Sequence, residues 1–375
     1  MIECGFFYDI LISYGIEFFA GVPDSLLKDF CAYVTDHTPA RKHIIAANEG
    51  AAVALVCGHY LATGKMGLVY MQNSGQGNAI NPLVSLADTE AYSIPMLILI
   101  GWRGEPGKHD EPQHIKQGKI TLSLLDTLGV PYRVLPDNPK NTQSCLDEII
   151  KMSRKTMGPV ALIVRRETFA PYQMQGYDDL QPELTREMGI KTVVNNLAEC
   201  DIVVSTTGKI SRELYEYRDH LDNNHSRDFL TVGSMGHCSQ IALAIAMSKP
   251  DRQVYCFDGD GAVIMHMGAM AIIGSSKPKN FKHIVFNNGC HDSVGGQPTC
   301  GCAISITGIA NSCGYISALQ AKTEEEIDEK MQLIKSTNGP AMLEIIVKKG
   351  ARDGLGRPKS SPKDNKAKFM EFLNQ

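Results

Sequence analysis

Short, fully apolar runs alternate along this chain with longer stretches of helical spacing, and the alternation occurs twice. KHIIAAN, GLVYMQNS, MLILIGW and VALIVRRE read as buried strands, while GAAVALVCGHYLAT and GNAINPLVSLADTEA between them carry the period of helices. A second series follows in DIVVSTTG, FLTVGS, QVYCFD, HIVFNN and AMLEIIVKK. Strands apolar on both faces and joined through helices pack as parallel sheets covered on both sides, so the pattern predicts an α/β protein with two parallel-sheet domains. Residues 167–189, rich in Pro, Gly and polar side chains, separate the series. The expected layout is a first domain at 1–168, a linker at 169–189, a second domain at 190–350 and a tail at 351–375 whose helix begins near Pro362.

The two series echo each other where they end. LDEIIKMSRKTMGPVALIV closes the first and IDEKMQLIKSTNGPAMLEIIV the second, and at a displacement of 181 residues Asp147, Glu148, Thr156, Gly158 and Pro159 fall on Asp328, Glu329, Thr337, Gly339 and Pro340. A repeat this long predicts two copies of one α/β domain.

Length and charge narrow the function classes. At 375 residues the chain accommodates two cores but no third domain of similar size. A formal charge of -4 without a basic stripe argues against a nucleic-acid partner. The N-terminal apolar run carries Glu3 and Asp9, and IPMLILIGW is too short to cross a bilayer, so no membrane partner is expected and the cytoplasm is the expected location. Eleven cysteines are scattered; Cys290, Cys300 and Cys302 lack paired CxxC spacing, and buried free thiols are expected.

VYCFDGDGAV places two aspartates between glycines where a buried strand ends. In open parallel sheets ligands sit beyond the carboxyl strand ends, and Gly259 and Gly261 allow close approach there. Ile264 occupies the place of a dinucleotide fingerprint's third glycine, and no GxxxxGK loop occurs. What remains is a carboxylate, Asp260, at a phosphate-binding edge. After Gly261, 25 residues suffice for a helix and a return strand before Asn287 and Asn288. An Asp and an Asn amide oxygen at neighbouring strand ends suit one hard cation.

This pair, with its spacing, resembles the diphosphate and metal motif of thiamine diphosphate-dependent enzymes, and the two series resemble their pyrimidine and pyrophosphate domains. The resemblance implies thiamine diphosphate and Mg²⁺ as cofactors, with Asp260, Asn288 and the backbone oxygen of Cys290 on the metal. It also implies that Met235, in VGSMGHC, bends the cofactor and that Gly233 meets its amino group. Glu49 in IIAANEGAAVALVCG follows a strand and begins a helix, and the resemblance makes it the carboxyl that drives the cofactor's proton shift. In such folds the two halves of the site come from different subunits, which implies at least a homodimer.

Without a middle domain the chain is similar to the short decarboxylases of 3-phosphonopyruvate and 3-sulfopyruvate. Four segments are similar to the phosphonopyruvate group: FFAGVPDSLLKDFC (18–31), GWRGEPGKHDEPQH (101–114), NNGCHDSVGGQPT (287–299) and RDGLGRPKSSPKDNK (352–366). The implied reaction forms phosphonoacetaldehyde and CO2, a step of phosphonate biosynthesis. A phosphonate dianion calls for cations and polar donors. Ser25, Lys28, Arg103, Lys108 and Gln113 in the first half, with Ser293 and Gln297 in the second, are the candidate substrate contacts. His109, His114 and His291 are the candidate proton carriers. Arg352 or Arg357 of the tail would close over the substrate if the tail is a lid. A sulfopyruvate decarboxylase is the near alternative, and an acetolactate-type carboligase, a dinucleotide-dependent oxidoreductase or a nucleotide sensor the more distant ones.

Overall fold

The computed structural model describes residues 1–175 and 182–375, arranged as two compact units, Met1–Tyr177 and Asp178–Gln375. The first holds β1 (Phe19–Gly21), β2 (His43–Ile45), β3 (Leu68–Gln72), β4 (Met96–Gly101), β5 (Tyr132–Val134) and β6 (Pro159–Val164). The second holds β7 (Ile202–Ser205), β8 (Asp228–Leu230), β9 (Val254–Gly259), β10 (Phe281–Asn287), β11 (Ser317–Ala321) and β12 (Ala341–Ile346). Each set forms one six-stranded sheet, in the orders β2-β1-β3-β4-β6-β5 and β11-β12-β10-β9-β7-β8, and every pairing is parallel. Counted within each unit and read from the same end, both orders are second, first, third, fourth, sixth, fifth. The units therefore share one topology, as the terminal echo predicts.

Each sheet divides two apolar layers. Leu97 and Leu99 of β4 enter one core with Phe7, Phe19 and Phe30, while Met96, Ile98 and Ile100 enter the other with Val53 and Val56. In β9, Tyr255 and Phe257 face one layer and Val254 and Cys256 the other. The echoed segments are the last helix and strand of each unit: helix Pro139–Thr156 before β6, and helix Glu324–Ser336 before β12. Gly339 holds a φ of 155°, and a Cβ there would lie 2.3 Å from Ile316, so this turn requires glycine.

Three strands lack an obvious sequence run. β1 and β5 span only three residues each, and β11 is half-exposed along most of its length. The stretch after Asp260, expected as one helix, is two, Asp260–Met265 and Gly268–Ser276; the break falls at His266, whose ring packs against Gly236. Within the expected linker, Phe169 stacks on Phe30 and Tyr172 donates to Asp36 at 2.9 Å, tying that part to the first unit. Thr185 caps helix Arg186–Asn195, which belongs to the second. Residues 176–181 of that linker lie outside the described residues.

The tail lies along the second unit. Arg352 pairs with Glu187 and Glu216, and helix Pro362–Leu373 buries Phe369 beside Phe229. Its Asn365 accepts from the Leu230 N–H and donates to the Asp228 carbonyl, occupying backbone groups that edge strand β8 would otherwise leave open. Removing the buried ring should expose that edge: Phe369→Ala is expected to lower unfolding stability by about 3–5 kcal/mol, read from the denaturant midpoint. An unchanged midpoint would show that the helix is merely apposed.

Candidate active site

In the first unit the polar groups collect beyond the carboxyl ends of β1 to β4. Glu49 follows β2 and opens helix Glu49–Thr63; Asn48 caps that helix by accepting from the Ala51 N–H at 2.9 Å. The Glu49 carboxyl is 5% exposed and accepts from Asn78 Nδ2 at 2.7 Å. A Cβ on Gly75 would lie 2.3 Å from its Oε1, so the absent side chain of Gly75 is the space this carboxyl fills.

Arg103, after β4, is clamped. Its Nε and Nη2 donate to Asp110 and its Nη1 to Ser25 Oγ at 2.7 Å, while Asn73 exchanges hydrogen bonds with its backbone. Burial works against the Asp110 charge, but Arg103 and the Gly104 N–H outweigh it and hold this carboxyl down to about 2. His114 is buried nearby, and its Nδ1 has no hydrogen-bond partner among the described residues. Burial, helped by the Arg103 charge, pushes it down to about 4, so it is neutral at physiological pH. Gln113 is half-buried, and Lys28, Lys108 and His109 are exposed.

In the second unit the corresponding edge carries Asp260, Asn288 and Cys290, the residues expected to hold a metal. Asp260 is 3% exposed, and burial pushes its carboxyl up to about 6 against the pull of the Thr299 hydroxyl and the N–H groups of Gly261 and Asn288. No cation stands among these partners. Asn288 is buried at the end of β10, and its Oδ1 accepts from the Cys290 N–H at 3.2 Å. Burial, with the neighbouring Asp292 and Asp260, holds the Cys290 thiol up at about 12. A buried carboxylate lacking a counter-charge, with amide and carbonyl oxygens beside it, fits a hard divalent cation.

Glycines keep the space beside Asp260 open. A Cβ on Gly261 would meet the His291 ring at 3.1 Å and Met235 Cε at 3.3 Å, and one on Gly301 would lie 2.7 Å from Asp260 Oδ2. Met235 and His291 thus converge on Gly261, next to Asp260. Gly233 precedes Met235 in the same turn, where Ser234 and Gly236 have positive φ. Burial pushes His291 down to about 4. Ser293 is exposed at its loop tip and lies beside Gly208, and Gln297 is fully buried, its carbonyl accepting from the His291 N–H at 2.8 Å.

Several residues of these edges carry no sequence signal of their own. Asp24 is fully buried, accepts from Gln72 Nε2 at 2.7 Å, and occupies the place a Cβ on Gly101 would need. Thr299 meets Asp260 from the far end of its loop. Asp292, next to His291, receives Arg186 at 2.9 Å and the Gly350 N–H at 3.0 Å. Arg186 also grips Glu213 with two bonds of 2.8 Å. Only the segments AGVPDS and HDSVGGQPT hinted at Asp24, Asp292 and Thr299; nothing marked Arg186.

Residues 5–124 match the family profile described as "Thiamine pyrophosphate enzyme, N-terminal TPP binding domain", and residues 206–345 its C-terminal TPP binding domain. Along 97% of its length the chain is 33% identical to a phosphonopyruvate decarboxylase of Streptomyces viridochromogenes and 31% identical to one of Streptomyces hygroscopicus, covering 93% and 92% of those proteins. It is 28% identical to a sulfopyruvate decarboxylase of Methanosarcina acetivorans over 98% of its length, covering 96% of that protein. Among the described residues no helix is long and apolar enough to cross a membrane. With both thiamine diphosphate-binding domains matched, no middle domain between them, and relatives aligned from end to end, the chain belongs to the two-domain thiamine diphosphate-dependent decarboxylases of the phosphonopyruvate and sulfopyruvate type.

Proposed function

We propose that this protein decarboxylates 3-phosphonopyruvate to phosphonoacetaldehyde and CO2 in phosphonate biosynthesis, using thiamine diphosphate and Mg²⁺, as a cytoplasmic homodimer or larger homo-oligomer. The observation that carries the substrate is likeness along the whole chain to two phosphonopyruvate decarboxylases, at 33% and 31% identity. Bound thiamine diphosphate supplies a carbon nucleophile and an electron sink for the departing carboxylate.

The chain's own residues do the rest. Glu49, kept from water and oriented by Asn78, exchanges a proton with the cofactor's ring nitrogen. Asp260, Asn288 and the Cys290 carbonyl hold Mg²⁺ against the diphosphate, supplying the counter-charge that the buried Asp260 lacks. Met235 sets the cofactor's bend and Gly233 receives its amino group. Arg103 and Ser25, fixed to each other, offer donors to the phosphonate, with Lys28, Lys108, Gln113, Ser293 and Gln297 as further contacts. His114 and His291, neutral at rest, accept a proton or pass one on; His109 is the exposed member of the set.

The sulfonate reading has its own support in the relative from Methanosarcina acetivorans. A sulfonate carries one negative charge where a phosphonate carries nearly two, so electrostatic selection distinguishes the substrates. With Mg²⁺ and thiamine diphosphate present, kcat/KM for CO2 release is expected to be highest with phosphonopyruvate and at least tenfold lower with sulfopyruvate and pyruvate; preference for sulfopyruvate would transfer the assignment.

Glu49→Gln should retain cofactor binding while kcat falls by two or more orders of magnitude, as expected for a proton-transfer group. Near-normal turnover in that variant would remove Glu49 from the mechanism. Asp260→Ala should weaken Mg²⁺ and thiamine diphosphate binding together, measured by titration calorimetry; unchanged affinity for both would overturn the metal assignment.

A further inference from the structure

Beneath the cofactor-binding edge of the second unit, on the other side of the β9 backbone from Phe257, lies a cluster of polar side chains that the decarboxylase chemistry does not use. Cys256 and Asp258 alternate with Phe257 along β9 and point to the same face, and His283 of β10 is the direct neighbour of Cys256 in the sheet register. Cys238, first residue of helix Cys238–Ser248, packs onto that face. All four are at most 1% exposed, and Ile202, Val204, Ala242 and Val285 share this apolar layer.

The ligand atoms of three of them converge, and His283 stands outside that set, paired with Asp258. One donor atom each from Cys238, Cys256 and Asp258 lie within 4.8 Å of one another, the two sulfurs are 3.6 Å apart, and His283 Nε2 is 3.4 Å from Asp258 Oδ2. A tetrahedral zinc ion with bonds of ~2.3 Å to sulfur and ~2.0–2.1 Å to nitrogen or oxygen places its sulfurs ~3.8 Å apart and its nitrogen and oxygen ~3.3 Å apart. The observed separations match both edges. His283 Nδ1 sits 3.2 Å from the Tyr315 hydroxyl, so an outer partner orients the ring and leaves Nε2 facing the cluster, the arrangement usual for metal-bound histidine. The four buried groups now satisfy one another, Cys238 with Cys256 and His283 with Asp258, and a divalent ion would replace those contacts with shorter metal bonds.

We propose that Cys238, Cys256 and Asp258 form a site for Zn²⁺, which His283 completes as fourth ligand by a small shift from its present pairing with Asp258, distinct from the oxygen-lined Mg²⁺ site proposed at Asp260 and Asn288. Two thiolates select a borderline-soft ion, and with His283 as fourth ligand no position stays open, so the ion would be structural. It would fasten helix Cys238–Ser248 to β9 and β10 directly below the loops that carry Met235, Asp260 and Asn288.

The test is elemental analysis of the holoenzyme, purified with Mg²⁺ and thiamine diphosphate but no added transition metal. About one zinc per chain is expected, with X-ray absorption reporting two sulfur and two nitrogen or oxygen neighbours. Exchange for Co²⁺ should give a thiolate-to-cobalt charge-transfer band that the Cys238→Ser and Cys256→Ser variants lose, while a control Cys200→Ser at an exposed thiol keeps it. Absence of transition metal with no uptake of added Zn²⁺ or Co²⁺, a coordination shell without sulfur, or a Cys238–Cys256 disulfide found by peptide mapping of the unreduced protein would each overturn the site. All three of these use the wild-type chain and stand even if the variants fail to fold.

Discussion

A carboxylate buried without a counter-charge is among the most expensive groups a fold can carry, and the second unit is arranged around one. Asp260 sits where β9 turns into a helix, with a hydroxyl and a few N–H groups for company and no cation. Gly261 and Gly301 keep side chains away from it, Thr299 holds one oxygen, and the loop carrying His291 is fastened from behind by Asp292 to Arg186 and Gly350. A divalent cation bound there, as proposed above, would relieve that uncompensated charge, so loop rigidity and metal affinity would draw on the same source.

The duplicated topology explains how one scaffold serves two tasks. Both sheets reverse direction beside their first strand, which opens a crevice at the carboxyl edge. The loops there occupy equivalent places and differ in chemistry. After the second strand, the first unit sets Glu49 at a helix start, and the second makes the glycine-bounded turn of Met235. After the third, Asn73 stands where the second unit places Asp260. After the fourth, Arg103 answers to Asn288 and Cys290. The strands supply identical positions, and under the proposed function the loop residues would divide proton transfer and anion contact from metal binding.

How much of this could be read from the chain follows from the distance over which each signal acts. Strands such as β4 and β9 are apolar on both faces, and Glu49 and Asp260 are recognisable because their meaning lies in the few residues around a strand end. β1 and β5 are too short for any periodicity to develop. Asp24 depends on Gln72, 48 residues away, and Arg186 meets Asp292 across 106, so neither has a local pattern. The cluster at Cys238 is assembled by strand register and helix packing from residues whose spacing matches no ligand motif. Side chains that act through long-range partners are legible only once the sheets are assembled.

Charge accounting at the first unit's edge bears on selectivity. Asp24 and Asp110 place two carboxyls near the guanidinium of Arg103, and Asp110 with Ser25 already engages three of its nitrogens. That engagement fixes the guanidinium plane, so its remaining N–H groups meet a ligand with little loss of side-chain entropy. It also leaves little net positive charge in the buried part of the edge. The additional charge of a phosphonate over a sulfonate would then be answered by cations at the rim, where the exposed Lys108 ammonium stands. Geometry would be set by Arg103 and the discrimination of one charge from two by the lysines, two demands that a single buried arginine could not meet together.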